Sequence, residues 1–184
     1  MTRTQYYVAA SVDGFIADAE DGLDWLLSRK GEGGGAPGYA EFIAATGAIA
    51  MGARTYRWIL EHDSDKDPTE WTWPYDVPCW VFTHRDLPVV PGAQVLFTSE
   101  AVTAVHRQLV AAAGGRNVWV VGGGDLAGQF SDAGLLDELI LAIAPVTLGA
   151  GAPLLPRHVE LALEELVRDG DFACARFSVV RSTG

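Results

Sequence analysis

The sequence predicts an α/β fold in which a largely parallel β-sheet is covered by helices on both faces. Short apolar runs of strand length alternate along the chain with segments whose apolar residues recur at helical spacing. Glycine-rich turns separate many of these segments. Strands that alternate with helices form parallel sheets with helices on both faces. The chain shows no internal repeat and no second core, so we expect a single domain over residues 1–184.

The first predicted strand is Tyr6–Ala10, a short aromatic and apolar run followed by the turn pair Asp13-Gly14. Residues 31–38 hold five glycines and no apolar periodicity, which predicts a mobile lid or a slack linker. Residues 61–67 are too highly charged to be buried and are predicted to form a surface loop.

Helices are predicted where apolar residues share one face. The first carries Tyr39, Phe42, Ile43 and Thr46, and Thr55 is the expected N-cap of a short second one. Ser99 is the expected N-cap of the clearest helix, which ends at Gly114-Gly115. Its predicted inward residues are Val102, Val105, Leu109 and Ala112.

The remaining predicted strands are apolar runs bounded by turn residues. The last of them alternates small and apolar residues and is expected to be an edge strand. A helix over Leu126–Ala133 is predicted directly after the run Val118–Val121. In chain order, the six runs are Ala48–Met51, Cys79–Phe82, Val95–Phe97, Val118–Val121, Leu139–Val146 and Phe172–Val180.

Composition excludes several classes of function. The chain has 13 basic and 24 acidic residues, a net charge of −11, which has the wrong sign for general nucleic-acid binding. Its two cysteines and four histidines are scattered, so the sequence indicates neither a disulfide framework nor a zinc site. The longest apolar run, Leu139–Ala144, is far shorter than the ~20 residues that span a bilayer. The N-terminus has no secretory pattern, so we expect a cytoplasmic protein that does not bind membranes.

Three consecutive glycines, Gly122 to Gly124, follow the predicted strand Val118–Val121 and precede a helix. Residues without Cβ at such a strand end let phosphate groups approach the backbone amides and the helix N-terminus. The spacing to Gly128 does not match the Gly-x-Gly-x-x-Gly fingerprint of dinucleotide-binding folds. The turn therefore predicts either an anion site or a tight turn that binds no ligand.

Five motifs in order resemble the dihydrofolate reductase-like superfamily. The closest resemblance is to the reductase domain at the C-terminus of the riboflavin-biosynthesis bifunctional deaminase-reductase and to its stand-alone relatives. It covers about residues 5–180, and five ordered motifs are more specific than any one alone. It implies a three-layer αβα domain with an antiparallel C-terminal strand and a nicotinamide dinucleotide at the carboxyl edge of the sheet. The motifs are Ser11–Ala17, Met51–Tyr56, Phe82–Arg85, Val121–Leu126 and Ala144–Gly151.

The resemblance implies which residues bind the cofactor. The glycine pair would let the cofactor pass close to the backbone, the next amides would bind its pyrophosphate, and two residues would flank the nicotinamide ring. Two arginines at strand ends favour NADPH over NADH, because a guanidinium binds a phosphate dianion with two hydrogen bonds. The glycine pair is Gly122 and Gly123, the amides are those of Gly124, Asp125 and Leu126, and the residues beside the nicotinamide are Ala9 and Ile16. The residues around the adenosine phosphates would be Gly52, Arg54, Thr55, Thr83 and His84 or Arg85.

Asp13 is the candidate catalytic residue, either as a polar anchor and proton relay or only as an acceptor that holds its own turn. Tyr75 and a bound water are the other candidate acids. Trp25, Trp73 and Tyr75 are predicted to wall a substrate pocket with aromatic faces. Alternatively, Trp73 and its neighbour Trp71 cover a surface patch or a homodimer contact. Exposed aromatic residues and the expected edge strand favour a homodimer.

The chain departs from the family at the positions that bind a pterin. Gly38 and Ala142 stand where the pterin-anchoring acid and its supporting hydroxyl belong, so dihydrofolate is a poor substrate unless Glu41 or Asp24 supplies the acid. Asp125 and Ala127 replace a basic and an aromatic residue that follow the glycines in the family. We therefore expect an NADPH-dependent reductase of a small heterocyclic or imine-type substrate, akin to the ribosylaminopyrimidine of riboflavin biosynthesis. The alternatives are dihydrofolate reductase and a non-catalytic nucleotide-binding protein.

Overall fold

A computed structural model describes residues 1–31, 38–61 and 72–181 of the chain. Within these ranges the chain forms ten strands and five helices. The strands are β1 (Thr4–Ser11), β2 (Phe15–Ala17), β3 (Thr46–Gly52), β4 (Cys79–Phe82), β5 (Val95–Thr98), β6 (Asn117–Gly122), β7 (Glu138–Ala144), β8 (Ala152–Pro153), β9 (Leu161–Asp169) and β10 (Phe172–Val179). The helices are α1 (Asp24–Leu27), α2 (Tyr39–Ala44), α3 (Ala53–Glu61), α4 (Val102–Ala113) and α5 (Gly124–Asp132).

Eight strands form one sheet in the order β5-β4-β3-β6-β1-β7-β10-β9. The first six are parallel to one another, whereas β10 is antiparallel to both β7 and β9. The short strands β2 and β8 form a separate antiparallel pair. The predicted fold class is therefore confirmed: the sheet is mostly parallel and its C-terminal strand is antiparallel.

Helices cover both faces of the sheet, and a hydrophobic cluster lies on each face. Successive residues of a strand point to opposite faces, so Tyr6 and Tyr7 of β1 belong to different clusters. The Tyr6 cluster contains Leu109 of α4 and Phe130 of α5. The Tyr7 cluster contains Tyr56 of α3. The three layers bring the carboxyl ends of β1, β3 and β6 side by side at one edge, where parallel sheets bind ligands.

Helix α4 differs from the prediction at both its cap and its inward face. Ser99 is not the N-cap, because Thr98 accepts a hydrogen bond from the Glu100 amide in a turn and the helix begins only after Ala101. The last inward residue is Ala113, which is 1% exposed, and not Ala112. A repeat of 3.6 residues places Ala113 on the buried face with Leu109. The predicted end is confirmed, since Gly114 adopts the left-handed conformation of a C-cap.

Three other predicted helix positions are wrong. Thr55 does not cap α3, which begins two residues earlier at Ala53, directly after the last residue of β3. Thr46 lies in β3, where its hydroxyl donates to the Phe42 carbonyl. Helix α5 likewise begins at Gly124, before the predicted Leu126.

The prediction that the segment near 172–180 is the edge strand is wrong, because β9 lies outside β10. No alternating pattern predicts β9, since the side chains of residues 162–168 are exposed on both faces. A bulge opposite Arg176 and Phe177 disrupts the pairing of β9 with β10.

Two predicted segments lie largely or wholly outside the described residues. They are residues 32–37 of the predicted lid or linker and residues 62–67 of the charged loop. Trp71 also lies outside the described residues, so the predictions for all three stay untested. In the described ranges, every helix is too short or too polar to span a lipid bilayer.

Candidate functional site

A cavity of about 1100 Å³ lies along the edge where the parallel strands end. Its walls include the ends of β1, β3 and β6, the beginnings of α3 and α5, and the β2–β8 pair. Loops and aromatic side chains from α2 and from the segment before β4 close its other side. Its volume is slightly above the range of about 300–1,000 Å³ that is typical of sites for small molecules and cofactors.

The three consecutive glycines differ in what a side chain at each position would encounter. Gly122 has a φ of +150°, a conformation that side chains disfavour. A Cβ on Gly124 would overlap the carbonyl oxygens of Pro153 and Leu154, so α5 packs closely on β8 only because this residue has no side chain. Gly123 has an ordinary φ of −81°, and a Cβ there would meet only an Ile16 methyl at 3.9 Å.

Gly52, at the end of the neighbouring strand β3, resembles Gly123 in having room for a Cβ. A Cβ on Gly52 would lie 3.7 Å from the Gly122 carbonyl oxygen and 3.8 Å from the Gly123 nitrogen, which are ordinary contacts. Neither the packing around a Cβ nor the φ angle requires glycine at positions 52 and 123. Both residues line the cavity, so the space that their side chains would fill is open to a ligand.

Two helices begin at this bare backbone. Helix α5 has Gly123 as its N-cap, with no side-chain cap, and its first-turn amides belong to Gly124, Asp125 and Leu126. Helix α3 begins immediately after Gly52. Unsatisfied amides and the helix dipole make such an N-terminus attractive to anions. Two adjacent N-termini therefore give this wall of the cavity a positive potential.

Ion pairs set the charge on the rim of the cavity. The Arg54 guanidinium contacts the Asp21 carboxylate at 3.2 Å, and both side chains are exposed. Asp125 accepts hydrogen bonds from Gln129 at 3.0 Å and Arg157 at 2.9 Å, and these partners lower the pKa of its carboxyl group. The negative charge of Asp125 beside the α5 N-terminus is thus matched by Arg157.

Most of the predicted site residues line the cavity. Those that do are Ala9, Ile16, Gly52, Arg54, Thr55, Tyr75, Gly122, Gly123, Gly124, Asp125 and Leu126. Those outside its lining are Asp13, Trp25, Trp73, Thr83, His84 and Arg85.

The residues outside the lining have other contacts. Thr83 accepts a hydrogen bond from the Arg85 amide at 3.0 Å, in a turn just after β4. The Trp25 indole, on α1, donates to the Gly22 carbonyl at 3.2 Å and packs against the cluster of Ala142, Ala144 and Phe172. Trp73 packs against Tyr75, with ring centroids 5.4 Å apart, and so supports the cavity wall from behind.

Asp13 ties two loops together. Its carboxylate accepts hydrogen bonds from the Ser11 hydroxyl at 2.7 Å, the Leu148 amide at 3.0 Å and the Gly149 amide at 2.7 Å. These bonds lower the pKa of Asp13 to about 2, with the Ser11 bond the largest cause. Because the two loops lead into β2 and β8, the carboxylate positions a wall of the cavity. Of the two predicted roles, this geometry matches the turn-holding one.

The lining residues that sequence reasoning missed include four with polar or aromatic side chains near α1 and α3: Arg29, Lys30, Arg57 and Trp58. Arg57 follows Arg54 by three residues and therefore lies on the same face of α3, a spacing visible in the sequence. Arg29 and Lys30 follow the four-residue helix α1, which has no apolar repeat long enough to predict their direction.

The opposite part of the cavity is aromatic. Tyr7, Tyr39 and Tyr75 pack around Trp119, with ring centroids 5.6 to 6.2 Å from its own. The Trp119 indole donates to the Tyr7 carbonyl at 3.1 Å, so the orientation of this ring is fixed. The phenolic pKa of each tyrosine is raised, mainly by burial, which keeps all three neutral near pH 7.

The positions implicated in pterin binding carry no acid. Gly38 is an exposed left-handed residue before α2, and Ala142 lines the cavity. Asp24 and Glu41, the possible substitutes, do not line it. The described acids that do are on its exposed rim: Glu20, Asp21, Glu61 and Asp125.

Comparisons with known proteins identify the family to which this architecture is similar. The model of the RibD C-terminal domain family matches residues 4–170. The uncharacterized protein YwjB of Bacillus subtilis is 34% identical over 153 residues, which are 83% of this chain and 82% of YwjB. The riboflavin biosynthesis protein RibD of Haemophilus influenzae is 34% identical over 131 residues, 62% of this chain and 34% of RibD.

Solved structures show the same fold. A provisionally named riboflavin biosynthesis protein of Shewanella sp. PV-4 has a TM-score of 0.78 at 23% identity and covers 98% of this chain and 100% of its own. The Thermotoga maritima diaminohydroxyphosphoribosylaminopyrimidine deaminase/5-amino-6-(5-phosphoribosylamino)uracil reductase has a TM-score of 0.66 at 14% identity. That alignment covers 97% of this chain and 57% of the T. maritima chain.

Proposed function

This chain belongs to the RibD C-terminal domain family, and we propose from that premise that it is a reductase that transfers a hydride from NADPH to a small heterocyclic or imine-type substrate. The family supports an oxidoreductase that uses a nicotinamide cofactor. The proposal adds the choice of NADPH, the substrate class and the residues that bind each.

One observation carries the proposal: the bare backbone at Gly52 and Gly123. These glycines lie on neighbouring strand ends, line the cavity, and are required neither by packing nor by φ. A dinucleotide has a pyrophosphate that must approach backbone amides closely, and side chains here would block it. The chain therefore fits the cofactor at the place where the fold requires close approach.

The residues around this backbone would hold the cofactor as follows. The amides of Gly124, Asp125 and Leu126 would donate to the pyrophosphate at the α5 N-terminus. Ala9 and Ile16, on β1 and β2, would flank the nicotinamide ring, which supplies the hydride when bound. The role of the protein is to fix the distance between that ring and the substrate and to exclude water between them.

The preference for NADPH rests on α3. Arg54 in its first turn and Arg57 one turn later both line the cavity, so two guanidinium groups are available for a 2′-phosphate. The earlier candidates Thr83, His84 and Arg85 lie outside the lining, and a part for them in phosphate binding stays a prediction. Asp13 is proposed as a positioning residue through the loops it joins.

The aromatic part of the cavity would take the substrate. A planar ring stacks favourably on tyrosine and tryptophan faces, which supports a heterocycle akin to 5-amino-6-(5-phosphoribosylamino)uracil. Dihydrofolate is disfavoured, because the described acids of the cavity lie on its exposed rim and cannot anchor a pterin. A homodimer and a cytoplasmic location stay predictions.

The decisive experiment adds NADPH and NADH separately to the purified protein. Trp58 and Trp119 line the cavity, so their fluorescence should report cofactor binding, and calorimetry gives the affinity independently. Loss of nicotinamide absorbance with a panel of ribosylaminopyrimidines then reports hydride transfer. Binding without turnover of any substrate would favour the non-catalytic alternative, and absence of binding at millimolar cofactor would refute the proposal.

A further inference from the structure

Two tyrosine hydroxyls on the cavity wall are open to a ligand. The chain has five tyrosines, and the hydroxyls of the two most deeply buried donate to backbone carbonyls: Tyr6 to Leu154 at 3.0 Å and Tyr56 to Pro88 at 2.7 Å. Tyr39 and Tyr75 line the cavity instead, and neither hydroxyl has a hydrogen-bond partner among the described residues. Both residues are partly buried, so their hydroxyls remain accessible to solvent or to a ligand.

The two hydroxyls belong to one aromatic cluster but come from separate parts of the chain. Tyr39 is the first residue of α2, and Tyr75 lies in the segment before β4. Both rings pack edge-on against Trp119, at 6.1 and 5.6 Å between centroids. Each phenol lies close enough to influence the ionisation of the other, so a single small ligand could contact both.

The Tyr39 and Tyr75 hydroxyls are uncharged hydrogen-bonding groups. Burial raises the phenolic pKa of both residues, so each presents a hydroxyl that can donate and accept a hydrogen bond but carries no charge. The carboxylates that line the described part of the cavity are solvent-exposed on its rim. The aromatic part therefore lacks the anion that would stabilise a protonated, amino-substituted ring.

We propose that Tyr39 and Tyr75 determine substrate specificity by binding the carbonyl or amide edge of an uncharged planar heterocycle that stacks beside Trp119. This inference rests on the proposed function, since it assigns the substrate part of the same cavity. The hydroxyl pair takes the place of the missing pterin-binding acid and reverses the preference. Rings with oxo groups are bound, and protonated diamino rings are rejected.

The test compares two probes, 6-aminouracil as the oxo heterocycle and 2,4-diaminopyrimidine as the readily protonated one. Binding of each is measured by tryptophan fluorescence and calorimetry, with and without saturating NADPH. The variants Tyr39→Phe and Tyr75→Phe remove only a hydroxyl and keep the packing around Trp119. Tyr56→Phe is the matched control, because it makes the same chemical change outside the cavity lining.

Each Phe variant at the cavity should bind 6-aminouracil about 3- to 10-fold more weakly, the value of one neutral hydrogen bond. NADPH affinity should be unchanged, and Tyr56→Phe should bind the probe like the wild type even if its melting temperature falls. Wild-type affinity of both cavity variants for 6-aminouracil, or equal binding of the diaminopyrimidine by the wild type, would overturn the inference. Failure of NADPH to bind would refute the proposed function alone, since the probe comparison without cofactor still tests the tyrosine pair.

Discussion

Replacing Gly52 with alanine tests whether bare backbone at this edge exists for a ligand. The added Cβ would meet backbone atoms only at 3.7 and 3.8 Å, so folding should not suffer. Alanine also restricts the unfolded chain, which would stabilise the protein by up to about 1 kcal/mol. A ligand that occupies the same space would be displaced at a cost of about 1–3 kcal/mol, the usual cost of one extra methyl in a filled site.

That cost corresponds to a roughly 5- to 150-fold increase in the Kd for NADPH. Calorimetric titration measures it, and a thermal melt without cofactor measures stability. The matched control is Gly124→Ala, whose Cβ would overlap the Pro153 and Leu154 carbonyl oxygens. For a chain of this size, a penalty of about 1–3 kcal/mol lowers Tm by roughly 2–12 °C.

The two variants should therefore separate binding from folding. Gly52→Ala should keep the Tm of the wild type and bind NADPH more weakly, whereas Gly124→Ala should have a lower Tm than the wild type. The reasoning is refuted if Gly52→Ala binds NADPH like the wild type, or if its Tm falls as far as that of Gly124→Ala.

Three further predictions follow from the structure. Arg54→Ala should weaken NADPH more than NADH in parallel titrations, and equal losses would show that this guanidinium does not bind the 2′-phosphate. The pKa of Asp13 in the folded protein, about 2, lies below its usual value, so its stabilising contribution is present above pH ~4 and is lost as the pH falls towards 2. Asp13→Asn should therefore make the free energy of unfolding depend less on pH in this range. Acid melts check this, and an unchanged pH dependence would contradict it. Leu109→Ala should cost about 2–5 kcal/mol in urea unfolding, because this side chain is fully buried, whereas the exposed Gln108→Ala should cost little.

The buried strands could be predicted from the sequence because their signal is local. Runs such as Cys79–Phe82 are apolar throughout, since both faces of a parallel sheet are covered, and the predicted and observed bounds agree. Strand β9 could not be predicted, because its residues are exposed on both faces and its pairing with β10 is long-range. The order of the strands likewise depends on contacts that no short segment encodes.

The predicted glycines line the cavity, whereas several predicted aromatic residues do not. Gly122 to Gly124 were singled out because missing side chains at a strand end are themselves a signal, and Gly52 was singled out by the family resemblance. Trp25 and Trp73 were expected to wall a substrate pocket, yet they pack behind its wall, since neither a four-residue helix nor a loop has a pattern that fixes which way an aromatic ring points. Tyr7 and Tyr39, which do line it, carry no pattern that separates them from core residues.

The net charge of −11 illustrates why a global count does not govern a local site. The described residues that line the cavity include four basic side chains against four acidic ones: Arg29, Lys30, Arg54 and Arg57; Glu20, Asp21, Glu61 and Asp125. Two of these acids, Asp21 and Asp125, contact arginines. Charges beyond about 10 Å are largely screened at ordinary salt, so an anionic cofactor would respond to these groups and to the amides of α3 and α5. The acidic excess disfavours a polyanion that must cover a broad surface, but it does not disfavour a phosphate held in one cleft.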